Sequence, residues 1–227
     1  MSEPISPTVG RGVLHLFCKP TTMFDGQAVM AVVKAAATAG VQVVAVSTLG
    51  HKCDAAFMAM HEDWRALRAL QTGLQRAGLE VVDSYVSLTE VSDYAQGMPQ
   101  EMLDARLYPT IPPTAQHMPA WCFYPMSKKR AADANWFTLP FDQRKELMHE
   151  HGTSGRKFAG RVVQYVTAST GLDDFEWGVT LFGVHPDDLK DVVYTMRFDQ
   201  ASAVYAEFGP FYSGIVVPIE ELVAALG

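Results

Sequence analysis

The order of predicted strands and helices is the feature that most restricts the fold of this chain. The first hundred residues alternate as strand, helix, strand, strand, helix, strand, and the residues after 119 repeat that order. Each βαββαβ unit forms a four-stranded antiparallel sheet with both helices on one face. Two such sheets leave two apolar faces uncovered, and these faces need a partner. The pattern therefore predicts an α+β fold whose two units close into one barrel.

Apolar periodicity places the elements of each half. The predicted elements of the first half are the strands Val13–Phe17, Val41–Val46, Ala55–Met60 and Leu79–Val86 and the helices Gln27–Ala39 and Trp64–Ala77. Those of the second half are the strands Ala120–Met126, Val162–Ala168, Phe175–Phe182 and Phe211–Val217 and the helices Pro140–His151, Leu189–Met196 and Ile219–Leu226. A Pro-rich stretch from Leu107 to Pro119 links them. We expect two ferredoxin-like halves, at residues 1–105 and 106–227, that form a dimeric α+β barrel within one chain.

Composition and charge restrict the function. The 227 residues are 48% hydrophobic with a net charge of −7, and Lys and Arg are scattered outside the run Lys128–Arg130. Nucleic acid is therefore not an expected partner. No apolar run reaches the roughly 18 residues of a membrane span, and no secretory leader is recognisable, so we expect a cytoplasmic protein. The three cysteines lack metal-ligand spacing, which argues against disulfides and structural zinc.

One strand of the second half carries an unusual set of side chains. Because side chains alternate along a strand, Tyr124, Met126 and Lys128 project to one face. A phenol, a thioether and an ammonium on one wall fit a binding site. An edge strand of mixed burial would explain the same residues, and the strand alone favours that simpler interpretation.

Two further residues are candidates for contacts with a ligand. Gln164 lies in an apolar stripe with Val162 and Val166, so its amide needs a hydrogen-bond partner, either backbone or ligand. His151 follows Leu147 and Met148 on the apolar face of a helix and is either a helix-end residue or a metal ligand. The other histidines form no multi-ligand spacing. A single protein ligand suits haem iron, whose porphyrin supplies the remaining nitrogens.

Several stretches together resemble the coproheme decarboxylases of the chlorite dismutase-like family. The similarity is dense from residue 106 to about residue 214, whereas the first hundred residues are similar only in the order of their elements. The stretches are Arg106–Pro109, Cys122–Arg130, Asn135–Phe137, His151–Gly152, Gly155–Gly160, Asp173–Phe182 and Met196–Asp199.

The resemblance implies a reaction. Such an enzyme uses hydrogen peroxide to convert two propionates of Fe-coproporphyrin III to vinyls, giving haem b. The porphyrin is then substrate and redox cofactor together. His151 would be the axial iron ligand, and Tyr124 would be oxidised to a radical that takes hydrogen from the propionate carbon. The first half would be structural, and the second would bind the porphyrin and catalyse.

The resemblance also implies a set of substrate contacts. Arg106, Lys128 and Ser202 match the positions that bind propionates, and Gln164 matches the distal position. The matched segment that lines the substrate is Tyr124, Pro125, Met126, Ser127 and Lys128. Arg156 and Arg197 would support the pocket through ion pairs. The link from Pro112 to Ala120 is longer than the family pattern, which makes Arg106 the least secure assignment.

Two other functions stay open at this point. One is a haem-binding or haem-delivery protein without chemistry, which would need His151 but not Tyr124 and Lys128. The other is a peroxidase or chlorite dismutase on the same scaffold. Chlorite dismutases use a distal arginine, and Gln164 disfavours that reaction. The resemblance also implies a homopentamer.

Overall fold

The computed structural model describes residues 3–95, 97–114 and 117–227. The strands are β1 (Gly12–Pro20), β2 (Gln42–Leu49), β3 (Ala55–His61), β4 (Leu79–Thr89), β5 (Ala120–Lys128), β6 (Arg130–Ala131), β7 (Ala134–Asn135), β8 (Val162–Ala168), β9 (Trp177–Gly183), β10 (Ala206–Phe208) and β11 (Tyr212–Val216). The helices are α1 (Gly26–Thr38), α2 (Trp64–Arg76), α3 (Gln100–Leu107), α4 (Phe141–Arg156), α5 (Pro186–Met196), α6 (Gln200–Ala203) and α7 (Ile219–Leu226). None of the helices in these ranges has the length and hydropathy needed to cross a membrane.

The strands form a closed antiparallel barrel. The main sheet has the order β10-β5-β11-β2-β3-β1-β4-β8-β9, and β5 also pairs with β9, which closes it. Each half supplies four neighbouring strands, β2-β3-β1-β4 from the first and β8-β9-β5-β11 from the second. This is the arrangement of two ferredoxin-like units, so the predicted dimeric α+β barrel is confirmed.

The two seams between the halves differ in length. Strand β11 pairs with β2 over four residues, Ser213 to Val216. Strand β4 pairs with β8 only through Leu88 and Thr89. Both seams are backbone ladders, so the halves form one continuous sheet.

Local sequence signals set the helices of the first half. Asp25 and Asp63 cap α1 and α2, each accepting a hydrogen bond from the first turn of its helix. Gly78 follows α2 with φ +87°, and a Cβ there would lie 2.3 Å from the carbonyl oxygen of Met23. Only glycine fits this close turn into β4.

Side chains of β5 divide between the inside and the outside of the barrel. Trp121 and Phe123 point inward and belong to the central core. Cys122 and Tyr124 point outward into a separate cluster beneath α5. The alternation predicted for this strand is therefore correct, and it places Tyr124 on the outer face of the second half.

The structure corrects several predicted boundaries. Helix α4 was predicted to end at His151, but it continues to Arg156, and the glycine that follows it with a left-handed φ of +82° is Gly160. Gly152 lies inside the helix and does not have a positive φ.

The link between the halves also contains a helix that was not predicted. Helix α3 covers Gln100–Leu107 and has no buried residue, so it gave no apolar periodicity to detect. The expected boundary at residues 105 and 106 falls inside this helix. That boundary stays a prediction.

One buried histidine forms a hydrogen bond across the interior of the barrel. His15 on β1 is buried, and its Nε2 lies 2.9 Å from the hydroxyl of Thr180 on β9. Its ring lies 4.3 Å from that of Phe123. The other ring nitrogen, Nδ1, has no hydrogen-bond partner among the described residues. Burial lowers the pKa of His15 to about 3, because protonation would place an unpaired charge inside the barrel.

Stability should therefore fall in acid through His15. Its folded pKa lies below the unfolded value of about 6.5, so below that pH the unfolded chain binds more protons. The free energy of unfolding should decrease as pH falls from about 6.5 to about 3, with a slope of up to about 1.4 kcal/mol per pH unit from this residue. Urea unfolding of His15→Gln at several pH values should show that slope removed. The exposed control His51→Gln should keep it, and equal slopes in both variants would contradict the assignment.

Candidate functional site

Tyr124 is a buried phenol between aromatic rings. Its side chain is 7% exposed, its ring stacks on Phe211 at 4.5 Å between centroids, and Phe208 meets it edge-on at 5.5 Å. Burial raises its pKa well above that of free tyrosine. The phenol is therefore protonated at neutral pH and can give up a hydrogen atom.

His151 is held by a buried carboxylate. Its Nδ1 lies 2.9 Å from Oδ2 of Asp199 and 3.3 Å from the hydroxyl of Ser202. Burial opposes the charge on Asp199, but the hydrogen bonds from His151 and Ser202 outweigh it and lower the carboxyl pKa. An ionised carboxylate only accepts, so Nδ1 donates, and in a neutral imidazole Nε2 then carries the lone pair. This is the arrangement that orients a metal-binding imidazole.

Asp199 was not singled out by the sequence analysis as a site residue. It is the N-cap of α6, where its Oδ1 accepts a hydrogen bond from the Ser202 backbone at 2.9 Å. An aspartate followed three residues later by serine indicates a cap, and nothing in the pattern shows that its second oxygen reaches His151. Only the fold shows which carboxylate lies beside a given imidazole.

Lys128 faces α6 rather than open space. Its Nζ donates to the Ala201 carbonyl at 2.6 Å and lies 4.4 Å above the ring of Trp136. Burial lowers its pKa to about 8, although the charges of Asp199 and Glu176 favour protonation. Lys128 therefore lies beside the carboxylate that holds His151, which alternation along the strand did not predict.

The remaining residues of the matched segment differ in their contacts. Met126 packs against the Tyr124 cluster from the same face. Pro125 is buried, and its carbonyl accepts from the Gly209 amide at 2.8 Å. The Ser127 hydroxyl accepts from the Glu176 amide at 3.2 Å. Only Met126 shares the Tyr124 surface directly, while Pro125 and Ser127 position its strand.

Gln164 is exposed on the outer face of β8. It pairs in register with Leu181, which in turn pairs with Cys122, so all three share one face with Tyr124. Its amide is therefore free to meet a ligand on that face. Backbone satisfaction of this amide, the alternative considered above, does not occur among the described residues.

The arginines are less closely placed. Arg106 is exposed in the last turn of α3, at the start of a link whose residues 115 and 116 lie outside the described ranges. Arg156 donates to the Thr153 hydroxyl at 2.7 Å, and Arg197 lies 5.8 Å from the Tyr194 ring. In the described part of the chain neither Arg156 nor Arg197 forms the expected ion pair.

The helix that carries His151 is little buried. Helix α4 packs on α5 and α6, makes few contacts with the strands, and has no buried residue. On the face of β8 that carries Gln164, Val166 is 43% exposed. Within the described residues no three His, Cys, Asp or Glu side chains group as a metal site. A single imidazole such as that of His151 is the protein ligand that haem iron needs, because the porphyrin supplies the other nitrogens.

Removing the charge on Asp199 should weaken that imidazole. In Asp199→Asn the side-chain amide no longer fixes the Nδ1 proton, so iron-porphyrin affinity should fall about 10- to 100-fold. Titration of the Soret band measures this, and the matched control is Asp187→Asn in the exposed first turn of α5. Unchanged affinity in Asp199→Asn would show that His151 is not the iron ligand.

Comparison with known proteins finds two relatives whose names refer to heme or coproheme. The coproheme decarboxylase of Staphylococcus carnosus is 40% identical over 185 residues, which cover 76% of this chain and 72% of that protein. A Natronomonas pharaonis protein provisionally named as heme-binding is 45% identical over 190 residues, 74% of this chain but only 30% of that longer protein.

Solved structures agree with the sequence relatives. A heme-binding protein from Thermus thermophilus has a TM-score of 0.85 and 32% identity, covering 100% of this chain and 99% of that one. A chlorite dismutase variant from Candidatus Nitrospira defluvii has a TM-score of 0.76 over 97% of both chains, but its 16% identity shows the fold alone. The family model described as Chlorite dismutase matches residues 25–217. The chain therefore belongs to the chlorite dismutase family.

Proposed function

We propose that this protein is a coproheme decarboxylase, which uses hydrogen peroxide to convert two propionates of Fe-coproporphyrin III to vinyls and releases haem b. Each propionate with one hydrogen peroxide gives a vinyl, carbon dioxide and two waters. The observation that carries the proposal is a buried, oxidisable phenol and a carboxylate-anchored imidazole in the same half of the barrel. The relative from Staphylococcus carnosus supports it.

His151 and Asp199 would hold the iron. Nε2 of His151 would bind the iron, and the Asp199 carboxylate would keep the imidazole in the required tautomer. When bound, the iron porphyrin supplies the redox chemistry with peroxide. Ser202, 3.3 Å from the His151 ring, lies beside the ligand and is placed to meet a propionate at that edge.

Tyr124 would take the hydrogen atom from the propionate. The aromatic rings of Phe208 and Phe211 exclude water from it, which protects the radical from quenching. Oxidation and hydrogen transfer then pass through one protonated phenol. Phenylalanine offers the same shape without an abstractable hydrogen.

Positive groups would hold the other carboxylates. Lys128 supplies a charge beside the Tyr124 strand, and its buried ammonium is already partly desolvated, so little hydration is lost when a carboxylate arrives. Arg106 and Ser127 stay in the proposed contact set, together with Pro125 and Met126 as walls. Gln164 faces the same surface as an uncharged distal group.

Haem binding without chemistry is the second candidate. The heme-binding relatives favour it, since their names state a ligand and no reaction. Chlorite decomposition has support only from the fold, and the neutral Gln164 disfavours it. A homopentameric assembly and a cytoplasmic location complete the proposal.

Substitution of Tyr124 separates catalysis from binding. Tyr124→Phe keeps the aromatic stack, so porphyrin affinity should be retained, while decarboxylated products should disappear. Mass spectrometry of the porphyrin after peroxide addition measures both products. Tyr205→Phe, which alters a phenol packed on Trp136, is the matched control and should stay active. Normal product formation by Tyr124→Phe would exclude this phenol as the oxidant.

Substitution of Lys128 tests the charge that receives a propionate. Lys128→Met removes the ammonium with little change in volume, so affinity for Fe-coproporphyrin III should fall roughly tenfold, the equivalent of one charge-assisted hydrogen bond. Affinity for haem b, with fewer carboxylates, should fall less. The adjacent Lys129→Met makes the same charge change as a control. An equal loss for both porphyrins would mean that Lys128 acts on the fold instead.

A further inference from the structure

Tyr212 has the surroundings of a second oxidisable phenol. It lies on the inner face of β11, 7% exposed, and its ring stacks on Phe17 at 3.8 Å. Its hydroxyl donates a short hydrogen bond to Oδ2 of Asp83, a carboxylate exposed on β4. Burial, followed by the hydrogen bond and charge of Asp83, raises the pKa of Tyr212, so the phenol is protonated at rest. A proton acceptor in contact with solvent is thus already in place.

Tyr212 is also linked to Tyr124 through one packed ring. Phe211 precedes Tyr212 in the chain and stacks on Tyr124 at 4.5 Å. In register, Tyr212 pairs with Phe123, the residue before Tyr124. The two phenols therefore occupy neighbouring strands on opposite faces of the barrel wall. The Phe211 ring and the paired backbone of β5 and β11 therefore connect them.

We propose that Tyr212 donates an electron to a Tyr124 radical that forms when no propionate is in place. This exit route would remove the oxidising equivalent from the site. The inference rests on the proposed function, because peroxide and bound iron porphyrin supply the oxidant. Tyr212 loses one electron to the Tyr124 radical, and its phenolic proton moves to Asp83 and on to water. Tyr124 takes back the proton that it released on its oxidation and becomes a phenol again. A one-electron donor in solution then restores Tyr212.

The hydrogen bond to a carboxylate distinguishes Tyr212 from its neighbours. Tyr85, another inward phenol, is bonded to the Ser169 hydroxyl, which is a poor proton acceptor. Cys122 shares the face of Tyr124, but burial raises its thiol pKa to about 11, and Ser213 offers only a hydroxyl. Lys52 lies 5.3 Å above the Tyr212 ring and would oppose a cation there. Transfer of the proton with the electron avoids that cation.

The test is rapid-freeze EPR of the haem b-loaded protein after addition of hydrogen peroxide, with ring-deuterated tyrosine to identify tyrosyl radicals. Tyr212→Phe keeps the stack on Phe17 and removes only the hydroxyl, so it should fold normally and lose one tyrosyl component. Tyr85→Phe should keep that component. Asp83→Asn replaces the carboxylate that accepts the Tyr212 hydrogen bond. It should therefore weaken the Tyr212 component of the EPR spectrum and alter its g-values.

Porphyrin survival gives a second readout. Ascorbate should protect the Soret absorbance of the unaltered protein from peroxide, and the protection should be lost in Tyr212→Phe and retained in Tyr85→Phe. Identical spectra and equal bleaching in Tyr212→Phe and the unaltered protein would overturn the inference. Loss of the tyrosyl EPR component in Cys122→Ala, with no loss in Tyr212→Phe, would also overturn the inference. That result would assign the electron-transfer route to the Cys122 thiol.

Failure of this inference is distinguishable from failure of the proposed function. Decarboxylation of Fe-coproporphyrin III, followed by mass spectrometry, is measured on the same variants and should be unchanged in Tyr212→Phe. Decarboxylation without a Tyr212 component would refute only the exit route. A Tyr212 component without decarboxylation would refute only the decarboxylase and support an oxidative route in a haem-binding protein.

Discussion

Alternation of side chains along β5 is the constraint on which both the core and the candidate site depend. Phe123 points into the barrel, where it contacts His15 from the opposite wall, while Tyr124 points outward to Phe211. A shift of one residue in the pairing of β5 with β9 would exchange these faces. The close packing of the barrel interior therefore fixes the register, and the register fixes the position of the phenol. The core residue Phe123 and the candidate site residue Tyr124 therefore depend on the same strand register.

Near His151, the charges of the candidate site are arranged around one buried carboxylate, that of Asp199. Asp199 accepts from the His151 imidazole, while Lys128 lies close enough for the two charges to influence each other. A buried carboxylate with these partners is far less costly than an isolated one, since each charge has a hydrogen bond or a countercharge. His151 and Lys128 are thus coupled through Asp199 and α6. An anion placed beside Lys128 would therefore also act on the pair of His151 and Asp199.

Much of the fold could be predicted from the sequence, because the apolar periods of strands (2 residues) and helices (3.6 residues) depend on residues that are close together in the chain. The strand order and the shared face of Tyr124 and Met126 came from these local signals, and His151 came from local motifs and resemblance. Only the closed barrel shows that this face is the outer one. The contacts of Lys128 did not, because α6 has only four residues and its carbonyl reaches Lys128 from 73 positions away. Asp199 was missed for the same reason, as its partner lies 48 positions away. Helix α3 has no apolar face, and a glycine at position 152 favours a helix end although α4 continues through it.

The unequal seams of the barrel have a mechanical consequence. The β4–β8 seam holds only the register pairs Leu88–Ala168 and Thr89–Thr167, whereas four pairs join β11 to β2. Side chains reinforce the shorter seam, where the hydroxyls of Ser87 and Thr167 bond at 2.8 Å and Asp173 accepts from the Val86 amide at 2.8 Å. Strand β8 is therefore joined to the first half through side chains more than through backbone, while β9 holds it along seven register pairs. The attachment of β8 to the first half thus depends on the identity of a few polar residues, whereas the β11–β2 seam depends on backbone that any residue supplies.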